Sequence, residues 1–282
     1  MIDPSELKYM IKLLDDPDEE IRSRIIRDLN KLGPKLDSLI TDQNIFLTHT
    51  QRVIIDSIKL RFRKKALEDL VAEISIKDPT EKELESFVCA LSEYLSPFSS
   101  GEKLKARLDE ITADYKESAS FLDAFSLSRY LFKVRGFTGN IDDYFNPLNS
   151  DLNWVIEECK GIPITLSVLL ILIARRMNIE VSGCNFPGHF MAWFREDEEI
   201  VVVDCFGGGK FLYLEKMRKT APDLYKFMKM AVEYDADDIE IIERMLRNLV
   251  LAYQKRGDLE QSDYFSALLT MLQTDIITDS EM

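Results

Sequence analysis

The sequence predicts an α+β protein with a helical N-terminal region, a core in which a buried helix packs against an antiparallel sheet, and a C-terminal helix pair. Three observations predict this class. Apolar residues recur at helical spacing up to Lys133 and again from Ile239 to Leu272. The segment from Pro163 to Met177 is apolar nearly all round, as in a helix buried on every side. Segments 181–186, 189–194 and 200–204 alternate or are β-branched, which is typical of strands.

The N-terminal region begins with two predicted helices. Asp3 can cap the first and Pro4 can open it, and Asp15-Asp16-Pro17 breaks it. The second helix stops at Gly33-Pro34. The stretch LLDDPDEEIRSRIIRDLNKLGP resembles one HEAT-type helical repeat.

Further helices are expected over Gln51–Ile74, from Asp78-Pro79 onward, around 104–115, and over 121–133. His49 lies between two threonines, and we expect a solvated loop there. The change in character near Gly136 predicts a helical region at 1–118, a core at 119–220 and a helical tail at 221–282.

The core is expected to contain a short helix with Ser150 as its cap and Cys159 on its apolar face. Gly161 ends that helix, and Pro163 opens the buried one.

Charge and composition narrow the function classes. The net charge is −14 and no segment carries a basic run, so a nucleic-acid partner is not expected. The longest apolar run, 162–174, spans about 13 residues and is too short to cross a bilayer. The four cysteines lack CxxC spacing, and the start of the chain is not a signal peptide. These observations predict a cytoplasmic, reduced protein without a membrane partner.

The candidate chemistry lies in the pair His189 and Asp204. A short turn near 195–198 would join their strands. If an even loop is centred between Glu196 and Asp197, His189 and Asp204 face each other directly, with Cβ atoms about 5 Å apart. The aspartate would then fix the imidazole tautomer, as in a nucleophilic triad. A structural His–Asp hydrogen bond is the alternative, and an odd loop would separate the two side chains.

A triad also needs a nucleophile at a helix N-terminus, where the dipole lowers a thiol's pKa and backbone N–H groups can hold an oxyanion. The first turn of the predicted buried helix is GIPITL, and it contains no cysteine.

The middle of the chain resembles a known family. The pieces YLFKVRGFTGN, DYFNPLNSDLNWVI, GIPITLSVLLILIARRMNIEV, NFPGHFMAWF and VVDCFGGGKFL are similar to the transglutaminase-like domain of the SirB-one type. The segment RMLRNLVLAYQKRGDLEQSDYFSALLTML resembles a tetratricopeptide-like helix pair, which that family tends to carry.

The resemblance implies a papain-like core with His189 in the histidine role and Asp204 in the aspartate role of a Cys-His-Asp site. The cysteine role falls near Pro163 to Thr165, where this sequence departs from the active pattern. Members of this type generally lack an established activity, which favours an inactive relative.

Three residues remain as substitute nucleophiles, namely Thr165, Cys159 and Cys184. Thr165 lies in the right turn, although its hydroxyl is expected to bond to the first-turn backbone of its own helix. Cys159 lies just upstream and is expected to pack in the core, as are Cys89, Cys184 and Cys205. No cofactor is implied, and no ligand spacing indicates a metal site.

Three functions follow from these residues. The favoured one is a non-catalytic or degenerate module that binds a protein or peptide, since helical repeats present extended binding surfaces. The second is a cysteine or threonine acyl-transfer enzyme of the peptidase, amidase or transglutaminase type. The third is a structural or regulatory protein whose His–Asp pair only stabilises the fold.

Overall fold

A computed structural model describes residues 4–77, 83–96, 99–186 and 188–274 of the chain. The chain folds into two compact units, Met1–Asp69 and Leu70–Met282. Asp3, Asp78 and Pro79, which were expected to begin helices, lie outside the described residues. The division predicted after residues 118 and 220 stays a prediction about domains.

The first unit is helical. It contains α1 (Pro4–Lys12), α2 (Glu19–Asn30), α3 (Lys35–Asp42) and the greater part of α4 (His49–Ser75). The predicted break between the first two helices is present, and the Asp18 carboxylate caps α2 by accepting from the Glu20 N–H. His49 begins α4, so the loop expected there is wrong, although the residue is exposed. Buried leucines and isoleucines, Leu7 and Leu29 among them, form the core of this unit.

The second unit joins helices to a five-stranded sheet. Its helices are α5 (Leu84–Leu95), α6 (Gly101–Ser118), α7 (Ala124–Arg129), α8 (Leu152–Glu158), α9 (Pro163–Arg176), α10 (Leu214–Thr220), α11 (Pro222–Glu233), α12 (Asp238–Arg256) and α13 (Leu259–Thr274). Its strands are β1 (Thr138–Gly139), β2 (Lys160–Gly161), β3 (Ser182–Phe186), β4 (His189–Glu196), β5 (Glu199–Asp204), β6 (Lys210–Tyr213) and β7 (Asp235–Ala236).

The sheet has the strand order β6-β5-β4-β3-β7, and its neighbouring strands are antiparallel. One face packs against α10 and α11, where Cys184, Met191 and Val202 meet Met217 and Met228. The short strands β1 and β2 form a separate parallel pair. The predicted α+β class, with a buried helix packed against an antiparallel sheet, is confirmed.

Helix α9 is the centre of the second unit. Every residue from Pro163 to Ala174 is buried, as its apolar sequence predicts. The helix contacts α6, α8, α12 and β4, and Pro163 occupies its first turn. The short helix before it begins differently from the prediction, because Asp151 rather than Ser150 caps α8 and accepts from the Asn153 N–H.

Candidate functional site

The structure brings His189 and Asp204 together. His189 is the first residue of β4 and Asp204 is the last of β5, and the imidazole Nε2 lies 2.9 Å from the carboxylate Oδ1. Their side chains are 27% and 26% exposed. The pair is therefore formed and remains accessible to a ligand.

The register that joins the two strands differs from the predicted one. Glu196 pairs with Glu199, so the two-residue loop is Asp197-Glu198 and its centre lies one residue later than predicted. Asp197 has a φ of 52°, as a tight hairpin turn requires. In this register His189 and Asp204 are diagonal rather than direct neighbours, and their side chains close the remaining distance.

Asp204 is held by two donors. Its Oδ1 accepts from His189 and from the backbone N–H of Gly207, both at 2.9 Å. The hydrogen bond from His189 lowers the pKa of Asp204 below its usual value, burial opposes that shift, and the Gly207 N–H adds to it. A Cβ at Gly207 would lie 2.4 Å from the carboxylate, so glycine is needed for this contact.

The pair also defines the tautomer of His189. Because ionised Asp204 can only accept, Nε2 carries the proton. Nδ1 is then the nitrogen that could act as a base, and it makes no hydrogen bond within the part of the chain that the structure describes. The pair thus has the histidine–aspartate hydrogen bond of a triad, and Nδ1 has no hydrogen bond among the described residues.

The ring of Phe206 connects this pair to the start of α9. It lies 6.2 Å from the His189 ring and 5.8 Å from the Tyr144 ring, both edge-on. The Phe206 carbonyl accepts from the Gly139 N–H at 3.0 Å. Gly139 pairs with Gly161, two residues before α9, so the His–Asp pair lies near the N-terminus of the buried helix.

A loop rich in aromatic residues borders the site. The buried Asn149 amide donates to the carbonyls of Asp143 and Tyr144, and its Oδ1 accepts from Asn140 at 2.8 Å. These bonds fix the backbone that carries Tyr144. The sequence alone assigned this loop no role, and the asparagines that flank YFNP were the available signal.

Thr165 makes no hydrogen bond to His189. Its side chain is fully buried, and its hydroxyl has no hydrogen-bond partner among the described residues. The expected bond to the first-turn backbone is therefore wrong, and Ser167 makes a bond of that type instead, donating to the Pro163 carbonyl at 2.9 Å.

Cys159 also lies outside its expected environment. It is the C-cap of α8, with a φ of 53°, and it is partly exposed rather than packed in the core. Its Sγ lies 3.8 Å from the Ile156 carbonyl, and no hydrogen bond joins it to His189 within the described chain. Its position before α9 leaves it the most accessible thiol in this region.

The other three cysteines are buried, as predicted. Burial raises the pKa of Cys89 to about 11 and the pKa of Cys184 and Cys205 to about 12. A neutral buried thiol is a poor nucleophile, so these residues belong to the packing of the protein.

Two features are absent from the described residues. No group of three or more His, Cys, Asp or Glu side chains there is arranged to hold a metal ion. Within the same residues, no helix combines the length and apolar character needed to cross a membrane.

Comparison with known proteins gives partial matches to several relatives. A UPF0162 protein of Xylella fastidiosa is 41% identical over 120 residues, which cover 43% of this chain and 41% of that protein. Human F-box only protein 21 is 28% identical over 204 residues, covering 68% of this chain and 31% of that protein. A UPF0162 protein of Pseudomonas aeruginosa is 26% identical over 176 residues, covering 59% and 63%.

The matched part of the chain thus spans about two fifths of the Xylella relative and about a third of the human one. No solved structure gives a significant match. A family model described as the transglutaminase-like superfamily matches residues 63–247, which include α9, the sheet and the His189–Asp204 pair. The chain therefore belongs to the transglutaminase-like superfamily.

Proposed function

We propose that this chain is a degenerate transglutaminase-like protein whose His189–Asp204 site binds a protein or peptide instead of transferring acyl groups. One observation carries the proposal. Asp204 orients the histidine through Nε2, but no thiol or hydroxyl of the described residues is hydrogen-bonded to its Nδ1. Without an activated nucleophile, a site of this kind keeps its binding groups and loses its first covalent step.

The finer family assignment is part of this proposal. The motifs around His189 and the buried helix support membership of the SirB-one type. The pair α12–α13, joined at Gly257 with a φ of 77°, supports a tetratricopeptide-like tail. Four unpaired cysteines support a reduced, cytoplasmic location.

An acyl-transfer enzyme is the second candidate, and one observation favours it. Cys159 is partly exposed and lies four residues before Pro163, the start of α9. A local rearrangement that brought its thiol to His189 Nδ1 would complete a triad. Thr165 would need a larger change, because its hydroxyl is enclosed.

Thiol alkylation near pH 6 on the native protein, read site by site by mass spectrometry, separates these candidates. We expect Cys159 to react faster than the three buried cysteines because it is exposed, and to react at the same rate in His189→Ala. If the alkylation rate of Cys159 fell strongly in His189→Ala, Cys159 would be a thiolate activated by His189, and the binding proposal would be overturned.

Activity is measured on the same samples. Wild type and His189→Ala are compared for peptide hydrolysis and for incorporation of an amine into a glutamine-containing peptide. We expect no difference between the two proteins. Turnover that is present in the wild type and absent from both His189→Ala and Cys159→Ser would establish the enzyme instead.

A further inference from the structure

Helix α11 and its C-cap carry a row of exposed apolar side chains. Leu224, Phe227, Met230 and Tyr234 are between 42% and 79% exposed, and each follows the previous one by three or four residues. Side chains at this spacing lie along one side of a helix. They form a continuous row about 15 Å long, which we call the α11 stripe.

A different side of α11 packs against the sheet. Met228, Ala231 and Val232 are buried there, in the cluster that contains Cys184 and Met191. A helix that covers one face of a sheet needs a single apolar side for that purpose. The α11 stripe is therefore additional to the apolar residues that the fold requires.

No other long helix of the described chain exposes such a row. Helix α6 has 18 residues, all described, and exposes no large apolar side chain. Helix α12 has 19 residues and exposes one, Leu251. Because contiguous exposed apolar side chains are uncommon on the surface of a monomer, they mark a place where another molecule binds.

The helices that carry and adjoin the stripe differ in charge from the rest of the chain. Helices α10 and α11, which contact each other, have five lysines and arginines against three acidic side chains, a net charge of +2. The whole chain carries −14, so the residues outside these two helices carry −16. The stripe thus belongs to a positively charged helix pair in an acidic protein.

The lysines of this helix pair are weakly neutralised. Lys226 lies 3.9 Å from Asp223 in its own helix, and both side chains are largely exposed. An exposed pair of this kind contributes little free energy. Lys216 and Lys219 form no ion pair within the described residues. These ammonium groups are therefore available to the carboxylates of a partner.

We propose that the α11 stripe is a docking surface for a protein partner, and that the docking segment is an amphipathic helix whose apolar side is bordered by carboxylates. A straight row of side chains on one helix is a surface against which a second helix packs. Carboxylates beside the apolar side of that helix complement the lysines of α10 and α11. The proposal uses no residue of the His189–Asp204 pair, so it goes beyond the function proposed above and does not depend on it.

Two other occupants fit the charges less well. A second copy of this chain brings a second net charge of −14, which opposes self-association. An anionic membrane attracts clusters of cations, but Glu215, Asp223 and Glu233 are interspersed among the cations of α10 and α11. A partner helix needs carboxylates only where the lysines lie.

The test uses the full chain and two labelled peptides of about 18 residues, or about five helical turns. Both have leucine and phenylalanine at spacings of three and four residues. One has glutamate beside this apolar row and glutamine elsewhere, and the other has lysine in place of each glutamate. The net charge of the protein favours the lysine peptide. We expect the glutamate peptide to bind at least about tenfold more tightly, measured by fluorescence anisotropy.

Two pairs of variants locate the binding. Phe227→Ser should weaken binding of the glutamate peptide about tenfold or more, whereas Phe121→Ser, at another exposed phenylalanine, should not change it. Lys226→Glu should weaken it about threefold, whereas Lys116→Glu, at an exposed lysine of α6, should not. Because all four side chains are exposed, each variant should unfold within about 3 °C of the wild type.

Equal or tighter binding of the lysine peptide would overturn the proposal, as would equal effects of Phe227→Ser and Phe121→Ser. The other two occupants are tested directly. Binding to phosphatidylserine vesicles that is lost in Phe227→Ser would make the stripe a membrane surface instead. Self-association in sedimentation velocity that is lost in Phe227→Ser would make it an interface between two copies. None of these measurements involves His189, so this proposal and the proposed function fail separately.

Discussion

The buried hydroxyl of Thr165 predicts an effect on the stability of the protein. It is fully buried and unbonded within the described chain, so it costs desolvation without a compensating hydrogen bond. Thr165→Val keeps the shape and removes the polar group. We expect it to raise the free energy of unfolding by about 1 kcal/mol, measured by urea denaturation.

Thr112→Val is the matched control. Thr112 is also buried in a helix, but its hydroxyl donates to the Leu108 carbonyl at 2.7 Å. That substitution should be neutral or destabilising. If Thr165→Val lost stability and abolished a measurable acyl-transfer activity, the hydroxyl would have a partner and a role that the structure does not give it.

The carboxylate of Asp204 predicts a pH dependence. Its pKa is lower in the folded protein than in the unfolded chain, so its contribution to stability is fully present above the unfolded value of about 3.9. The contribution is lost as the pH falls through the folded pKa. Asp204→Asn should therefore reduce the free energy of unfolding by about 1 kcal/mol at pH 7, and the difference should shrink in acid.

Urea unfolding of wild type and variant between pH 7 and pH 3 measures this difference. Asp223→Asn serves as the reference, because the Asp223 side chain is 94% exposed. A deficit in Asp204→Asn that stayed constant down to pH 3 would show that the loss is steric and not due to the charge.

At the scale of elements, the helix and the strands that the spacing of apolar residues defines were predicted correctly. The predicted helix from Pro163 and the predicted strands at 181–186, 189–194 and 200–204 agree with α9, β3, β4 and β5 within two residues at each strand end. Strand alternation also placed His189 and Asp204 within reach of each other. These features depend on local patterns of apolar residues, which the sequence states directly.

The elements that were missed depend on tertiary contacts. The predicted register of β4 and β5 was wrong by one residue, because the segment EDEE could form several turns of similar chemistry. In the observed turn Asp197 takes the left-handed conformation. Strands β1, β2 and β7 have two residues each, too few for a period to appear. The position of Phe206 beside His189 follows from the packing of β1, which is remote in sequence.

The contact between Gly139 of β1 and the Phe206 ring predicts the effect of a substitution at Gly139. A Cβ on Gly139 would lie 2.6 Å from the Phe206 ring, so Gly139→Ala must displace the ring. We expect a loss of about 1–3 kcal/mol in the free energy of unfolding and a change in the His189 ring resonances. The measurements are urea denaturation and NMR of the imidazole.

Phe206→Ala tests the cause. When Phe206→Ala is already present, adding Gly139→Ala should cost much less than it does in the wild type, because the clashing ring is gone. Additive losses would place the strain of Gly139→Ala in some other contact.

At the scale of the whole molecule, the chain has two compact units, and the first has its own hydrophobic cluster. Leu29 is fully buried in that cluster. Leu29→Ala should reduce the stability of this unit by about 2–5 kcal/mol. Hydrogen exchange should show faster exchange in α1 to α3 and unchanged protection in α9. Equal loss of protection in α9 would mean that the two units unfold as one.

The enclosure of α9 has a consequence for synthesis. The ribosome makes this apolar helix before the sheet and α12, which contact it and follow it in the sequence. While those segments are still being translated, the nascent chain exposes an apolar helix that the rest of the protein has not yet covered. Chaperones that hold apolar segments during translation should therefore engage this protein between the emergence of α9 and the completion of α12.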